Sequence, residues 1–166
     1  MSDERRCGAC TECCRTLAIP TLGKPADKLC EHARSCGGCG IYDARPPECR
    51  TFQCQWLMSP EIFRGRDRPD RLGVMFDLVE HERYGRCVMV HETRPGALLD
   101  GRVRALAERF GGQQLVLGVR RGEARGPGES GPGFGLIMAG PADKLALLRH
   151  DLIRSRAGFK QVKPHG

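Results

Sequence analysis

The second half of the chain alternates between short apolar runs and polar breaks that contain glycine or proline. Two runs rich in β-branched and other apolar residues, 72–79 and 86–91, predict strands, and the polar segment 80–85 between them predicts a hairpin turn. Two later apolar runs, 114–119 and 135–139, predict another pair of strands. This half of the chain should therefore contain a small sheet.

Two other segments of this half repeat their apolar residues with the period of an α-helix. Residues 101–110 end at a glycine pair, and residues 141–156 begin at a proline, so both predict helices. Their apolar stripes consist of Val103, Leu106, Ala107 and Phe110 in the first helix and of Leu145, Leu148 and Leu152 in the second. The glycine-rich segment 120–133 predicts a loop. The order β-β-α-β-β-α predicts an α+β fold, in which a small antiparallel sheet carries two helices on one face.

The first 57 residues lack such periodicity, and frequent glycine and proline predict turns and short elements there. Short helices are expected at 11–17 and 48–58, and residues 19–22 should be extended. Phe52 and Trp56 share one face of the second helix, because they lie four residues apart.

Cysteine changes this picture more than any other residue type, because nine of the ten cysteines lie in the first 54 residues. They are Cys7, Cys10, Cys13, Cys14, Cys30, Cys36, Cys39, Cys49 and Cys54. Such a density indicates either thiolates that hold metal or disulfides that staple a fold. The chain is long enough to bury a core without disulfides, and its first residues form no apolar signal segment. We therefore expect a cytoplasmic protein with reduced thiols, in which metal binding is favoured over disulfides or a redox dithiol.

The spacing of these cysteines is typical of metal sites. Two-residue gaps, as in the run Cys7-x2-Cys10-x2-Cys13, let a tight turn aim two sulfurs at one ion. The side chains of the neighbours Cys13 and Cys14 diverge, so they should serve different metals or bridge a larger centre. Eight or nine thiolates exceed the four of one structural zinc, which fits two four-ligand sites or one polynuclear centre. Zinc and an iron–sulfur centre both suit these soft ligands.

Two stretches carry a resemblance to a known family. The C-x2-C-x2-C-C run at 7–14, together with C-G-I-Y-D-A-R-P-P-E-C-R-T-F-Q-C at 39–54, resembles the YkgJ-type family of zinc- or iron-chelating CxxCxxCC proteins. The resemblance covers residues 7–57. It implies metal chelation by eight cysteines: Cys7, Cys10, Cys13, Cys14, Cys30, Cys39, Cys49 and Cys54. Cys36 stands outside that set and is expected to be a ninth ligand or a spare thiol.

Three residues of the second stretch are candidates for support of the ligands: Tyr42, Arg45 and Arg50. Guanidinium groups beside thiolates would offset their negative charge and donate hydrogen bonds to sulfur. The alternative is that the two arginines form surface ion pairs with Asp43 and Glu48.

Histidine provides weaker signals. His32 follows Cys30 at C-x-H spacing and could be a further ligand. Cys87 could form a thiol–imidazole pair with His81 or His91 on the predicted hairpin, but a buried strand cysteine is the favoured interpretation.

The net charge of +7 restricts the class of partner only weakly. Most of the excess lies in residues 61–166, which hold nineteen basic and thirteen acidic residues. A solvated helix face and a basic tail explain this excess better than nucleic-acid binding, because aromatic platforms are scarce and no nucleic-acid motif is present. Eighteen apolar residues never run together, so no membrane span is expected.

We therefore expect one compact unit with three parts: a cysteine-rich metal-binding module at 1–57, a connection at 58–71 and a small α+β region at 72–166. The predicted function is metal binding in a structural or interaction module, with a surface for a protein partner. A redox or metal-dependent enzyme or electron carrier with an iron–sulfur centre is one alternative, and a metal-delivery accessory is the other.

Overall fold

The N-terminal part of the chain consists of short helices joined by turns. The computed structural model describes residues 5–121 and 136–154. From residue 5 to residue 73, all of which it describes, the α-helices are α1 (Glu12–Thr16), α2 (Pro47–Thr51), α3 (Gln55–Met58) and α4 (Pro69–Leu72). The helix α1 confirms the prediction at 11–17. The prediction at 19–22 holds only for Ile19, which forms a β-bridge with Lys24, because Pro20–Leu22 is a 3-10 turn.

The single helix predicted at 48–58 is wrong, because the chain breaks between α2 and α3. Phe52 and Cys54 take extended backbone, with ψ of 128° and 159°. On a continuous helix, Cys49 and Cys54 would point about 140° apart around the axis. The break instead lets both cysteines face the same cavity and buries Trp56.

A four-stranded sheet forms the centre of the molecule. Its strands are β1 (Val74–His81), β2 (Gly85–Glu92), β3 (Leu115–Val119) and β4 (Leu136–Ala139), in the order β1-β2-β3-β4. The strands and the hairpin are confirmed, although β1 begins two residues later than predicted. Leu72 ends α4, and Gly73 then turns the chain with a φ of 82° that favours glycine.

The antiparallel sheet of the prediction is wrong at one pair. The pairs β1–β2 and β3–β4 are antiparallel, but β2 and β3 are parallel. The helix α5 (Gly101–Gly111) lies between these two strands in the chain and carries the chain back to the end of the sheet at which β2 begins. Strand β3 therefore runs in the same direction as β2, and the sheet is mixed.

The prediction that both helices lie on one face of the sheet is also wrong. Val103, Leu106 and Phe110 of α5 pack in one core cluster with Val88, Val90 and Val116 of the strands. Leu148 of α6 (Ala142–Arg154) packs in the other cluster with Cys87, Met89, Leu115 and Leu117. Successive strand residues point to opposite faces, so the continuous apolar run at 87–90 needs cover on both faces.

The N-terminal part packs on the same face of the sheet as α5. Cys54 and Trp56 belong to the α5 cluster, and an aromatic group at its centre joins Phe63, Phe76 and Phe110. The ring centroids of this group lie 5.2 to 5.9 Å apart. The segment 58–71 therefore contributes a core residue in Phe63, which is 2% exposed.

Several predicted features lie outside the described residues: all but the start of the loop at 120–133, the last two residues of the helix at 141–156, and the basic tail that follows it. In the part of the chain that the structure does describe, no helix has both the length and the apolar character needed to cross a membrane.

Candidate metal centre

A cavity of about 110 Å³ opens in the N-terminal part, and cysteines from separate segments line it. Eight of the nine cysteines predicted as ligands do so: Cys7, Cys10, Cys13, Cys14, Cys30, Cys39, Cys49 and Cys54. They are the same eight that the family resemblance implies. All ten cysteines of the chain are free thiols in the structure.

The first four cavity cysteines are positioned by a tight turn and by α1. The Cys10 N–H donates to the Cys7 carbonyl at 3.0 Å, which closes the turn between them. Cys13 and Cys14 lie in α1, where neighbouring side chains diverge by about 100°. One short turn and one short helix thus direct four thiols toward the cavity from different angles.

The other four cysteines come from a loop and from the two short helices after it. The Cys30 N–H donates to the Cys14 carbonyl at 3.0 Å, and Cys39 forms a β-bridge with Ala33. Cys49 lies in α2, and Cys54 directly precedes α3.

The loop between Cys30 and Cys39 packs closely on the first turn of the site. A Cβ atom at Gly37, whose φ is 91°, would stand 2.6 Å from the Ala9 carbonyl oxygen. Only glycine suits this position, because both the backbone angle and the space exclude a side chain.

The remaining two cysteines lie elsewhere. Cys36 is exposed and does not line the cavity; its sulfur lies 3.9 Å from the Gly37 carbonyl oxygen. Cys87 is 2% exposed on β2, and its thiol approaches the Gly85 carbonyl at 3.4 Å. Cys87 is therefore the buried strand cysteine that the sequence favoured.

The histidines weighed with Cys87 have other neighbours. His81 Nδ1 accepts a hydrogen bond from the Arg83 N–H at 3.0 Å, and His91 Nε2 lies 3.7 Å from Asp77 Oδ2.

Apolar side chains form most of the remaining cavity wall, among them Leu17, Ile19, Ile41, Phe52 and Trp56. Phe52 and Trp56 thus lie beside the cysteines, as the sequence predicted, although Phe52 directly follows α2 and Trp56 lies in α3. An apolar wall limits water and strengthens electrostatic interactions inside the cavity.

Arg45 and Arg50 take different roles. Arg45 stacks over the Tyr42 ring at 3.7 Å, and its charge acts to lower the pKa values of Cys7 and Cys14. Arg50 Nε donates to the Arg45 carbonyl at 2.7 Å, so it braces the backbone that carries Arg45. Glu48, one of the surface partners considered for them, instead accepts hydrogen bonds from the N–H and hydroxyl of Thr21 at 3.1 and 2.7 Å.

Two further cations lie beside the cavity, and the sequence did not predict a role for either of them. Lys24 is 8% exposed, and its ammonium donates to the carbonyls of Arg15, Leu17 and Pro25. Arg68 donates to both carboxylate oxygens of Asp70 at 2.7 Å. The charge of Lys24 acts to lower the pKa of Cys14, and that of Arg68 acts to lower the pKa of Cys7.

The thiols differ in how readily they ionise. Burial raises the pKa of Cys10 to about 11 and also raises the pKa values of Cys7, Cys49 and Cys54. The Cys13–Cys14 hydrogen bond has the largest effect on both members of that pair, because it raises the pKa of Cys13 and lowers that of Cys14. A metal ion would therefore displace protons from most of the cavity thiols when it binds.

Two non-thiol donors also line the cavity. His32 does so with its Nε2 atom 3.6 Å from Glu31 Oε1. The buried Oε2 atom of Glu48 has no hydrogen-bond partner among the residues described.

The donor set fits zinc or an iron–sulfur centre, because soft thiolates are the preferred ligands of both. Across residues 5–121 and 136–154, however, there is no group of three or more His, Cys, Asp or Glu side chains that is already arranged to hold a metal ion. Binding would therefore require the thiols to rotate toward a common point.

None of the protein-family models compared with the chain matches it, and no curated protein or solved structure matches either.

Proposed function

We propose that this protein binds metal through the eight cavity cysteines, as zinc ions or as an iron–sulfur centre, and that the metal organises the N-terminal part into a structural or interaction module. The observation that carries the proposal is the selection of cysteines. The eight from the family-like pattern line one cavity, whereas Cys36 and Cys87 do not.

Space and ligand number bear on how many metal ions the cavity would hold. The cavity of about 110 Å³ is several times the ~10–15 Å³ of cavity volume that one water needs. Four thiolates saturate one zinc ion, so eight could hold about two zinc ions or a polynuclear centre. Both counts support more than one metal ion per chain.

Charge supports the same proposal. Four thiolates around one divalent ion leave a net negative charge, which nearby cations would offset. Arg45, Lys24 and Arg68 each lie close enough to one or more cavity thiols to shift a pKa. The chain's own residues would thus bind the metal, offset the negative charge of the thiolates around it and exclude water from the site.

The test is a metal and sulfide assay on full-length protein purified without air, with absorbance recorded between about 300 and 500 nm. We expect either a colourless protein with about two zinc ions per chain or a brown protein with acid-labile sulfide. A brown protein that cycles between two oxidation states would favour the electron-carrier alternative.

Two variants serve as matched controls, because their cysteines lie outside the cavity. Cys36→Ser removes an exposed thiol and Cys87→Ser a thiol buried between the sheet and α6, and both should retain the full metal content. A folded protein that carries no metal after anaerobic purification and reconstitution would refute the proposal.

A further inference from the structure

Cys13 and Cys14 are neighbours whose thiols form a hydrogen bond, but the backbone ties the two residues to different parts of the fold. Both lie in α1, so their side chains leave the helix about 100° apart. Cys13 packs against the core cluster to which Cys54 belongs. Cys14 carries the carbonyl that accepts the Cys30 N–H at 3.0 Å. One neighbour therefore faces the protein core, and the other joins the loop that carries Cys30.

The remaining cysteines follow the same division. Cys7 and Cys10 share one tight turn, closed by a hydrogen bond of 3.0 Å. Arg5, two residues before Cys7, donates to the Trp56 carbonyl at 2.8 Å, and Trp56 follows Cys54 by two residues, so this turn lies beside Cys54. A charge on Cys7 would accordingly raise the pKa of Cys54. The thiols of Cys7, Cys10, Cys13 and Cys54 therefore lie in one neighbourhood.

Cys49 belongs to the other neighbourhood. Glu48, the residue before Cys49, accepts hydrogen bonds from Thr21 at 3.1 and 2.7 Å, which hold α2 beside the turn that carries Lys24. Charges on Cys14, Cys30 and Cys39 would accordingly raise the pKa of Cys49. The β-bridge between Ala33 and Cys39 brings the two ends of the loop together, which places Cys39 near Cys30. The two neighbourhoods meet at α1, because a charge on Cys14 also raises the pKa of Cys7.

Each neighbourhood also has its own cation. The Arg68 guanidinium lies at the first turn, where a Cβ atom at Gly8 would stand 3.5 Å from Arg68 Nη1. The Lys24 ammonium donates to the carbonyls of Arg15 and Leu17, one and three residues after Cys14 in the chain. Arg45 lies between the two, beside both Cys7 and Cys14.

We propose that the eight cysteines form two separate four-thiol metal sites that divide between Cys13 and Cys14. The first set is Cys7, Cys10, Cys13 and Cys54, and the second set is Cys14, Cys30, Cys39 and Cys49. The inference rests on the proposed function and specifies which residues share an ion. Four thiols per site satisfy one zinc ion, or one iron–sulfur cluster with four cysteine ligands.

The test compares three double variants of the full-length protein. Cys13→Ser with Cys54→Ser disables only the first set, and Cys30→Ser with Cys49→Ser disables only the second. Cys13→Ser with Cys49→Ser damages both sets. Zinc-loaded proteins are challenged with a chelator that wild type withstands, and the metal per chain is counted by native mass spectrometry. Cys36→Ser is the control and should behave as wild type.

We expect half of the wild-type metal in each of the first two variants and none in the third. Equal metal content in all three, or complete loss in the first two, would overturn the division. Wild type that binds no metal would instead refute the proposed function itself, so the two failures are distinguishable.

A measurement on wild type covers the case in which a variant does not fold. During slow removal of metal by the chelator, each cysteine is labelled with a pulse of alkylating reagent and located by peptide mass spectrometry. The first set and the second set should become reactive as two groups of four. Simultaneous reaction of all eight, or reaction of Cys13 together with Cys14, would contradict the proposal.

Discussion

At the scale of single residues, a carboxylate buried in the described part of the chain shows how the segment before the sheet is held. The Asp67 side chain is 1% exposed and accepts hydrogen bonds from Arg102 at 2.9 and 2.6 Å and from the Arg64 N–H at 2.7 Å. Burial acts to raise the pKa of Asp67, but these donors outweigh it and lower the pKa. The ion pair thus fastens the segment to α5.

Arg102→Ala should therefore destabilise the protein strongly, because it leaves Asp67 buried without its charged partner. We expect a loss of about 3 kcal/mol in the free energy of unfolding, measured by urea denaturation. Arg104→Ala is the matched control, since Arg104 is an exposed arginine of the same helix and should cost less than about 0.5 kcal/mol. Similar losses in the two variants would show that the ion pair does not hold the segment.

The cysteines of the site could be predicted from the sequence, but the charges around them could not. Spacing marked nine candidate thiols, because tight turns leave a local pattern, and the family resemblance set Cys36 apart from the eight that line the cavity. Lys24 and Arg68 leave no such pattern. Arg68 reaches the cavity because a distant segment folds beside the first turn, whereas Lys24 does so because the chain turns back on itself between Ile19 and Lys24. A buried lysine in a polar loop resembles any surface lysine in sequence.

At the scale of elements, periodicity predicted the strands and helices but not their arrangement. The stripe of Val103, Leu106 and Phe110 identified α5 because a helix repeats its buried face every 3.6 residues. The parallel pairing of β2 with β3 depends on the path of the chain through α5, which no local pattern records. The break between α2 and α3 was missed for a similar reason, since the cavity, not local preference, requires it.

An ion-pair cluster fastens α6 to the hairpin between β1 and β2. Asp151 accepts two hydrogen bonds from the Arg83 guanidinium, at 2.5 and 2.8 Å, and one from the Tyr84 hydroxyl at 2.7 Å. These hydrogen bonds, of which those from Arg83 have the largest effect, lower the pKa of Asp151 to about 2. The pKa of an aspartate in an unfolded chain is about 3.9.

The cluster should stabilise α6 above about pH 4 and stop doing so as the pH falls toward about 2, because Asp151 then binds a proton in both states. The difference in unfolding free energy between wild type and Asp151→Asn should thus shrink as the pH falls from 5 to 2, as followed by urea denaturation. Asp143→Asn, an exposed site in the first turn of the same helix, should show no comparable change. A difference that stays constant over this range would exclude Asp151 as the titrating group.

At the scale of the whole molecule, the cysteine cavity and the sheet share one core. Cys54 and Trp56 line the cavity and also belong to the cluster that contains Val88, Val90 and α5. Trp56 is the only tryptophan of the chain, and its indole N–H donates to the Arg64 carbonyl at 2.9 Å. Its fluorescence therefore reports on the junction between the two parts.

Because this core is continuous, metal removal should weaken the sheet as well as the cavity. Metal at about 100 times its dissociation constant adds about 2.7 kcal/mol to the unfolding free energy, if only the folded state binds it. Chelation should therefore lower the urea midpoint of Trp56 fluorescence and that of far-ultraviolet circular dichroism, which follows the sheet and helices, by the same amount. Coincidence of the two transitions is the sign of one cooperative unit. If chelation lowers only the fluorescence midpoint, the sheet and α5 fold independently of the cysteine segment, and the shared core does not couple them.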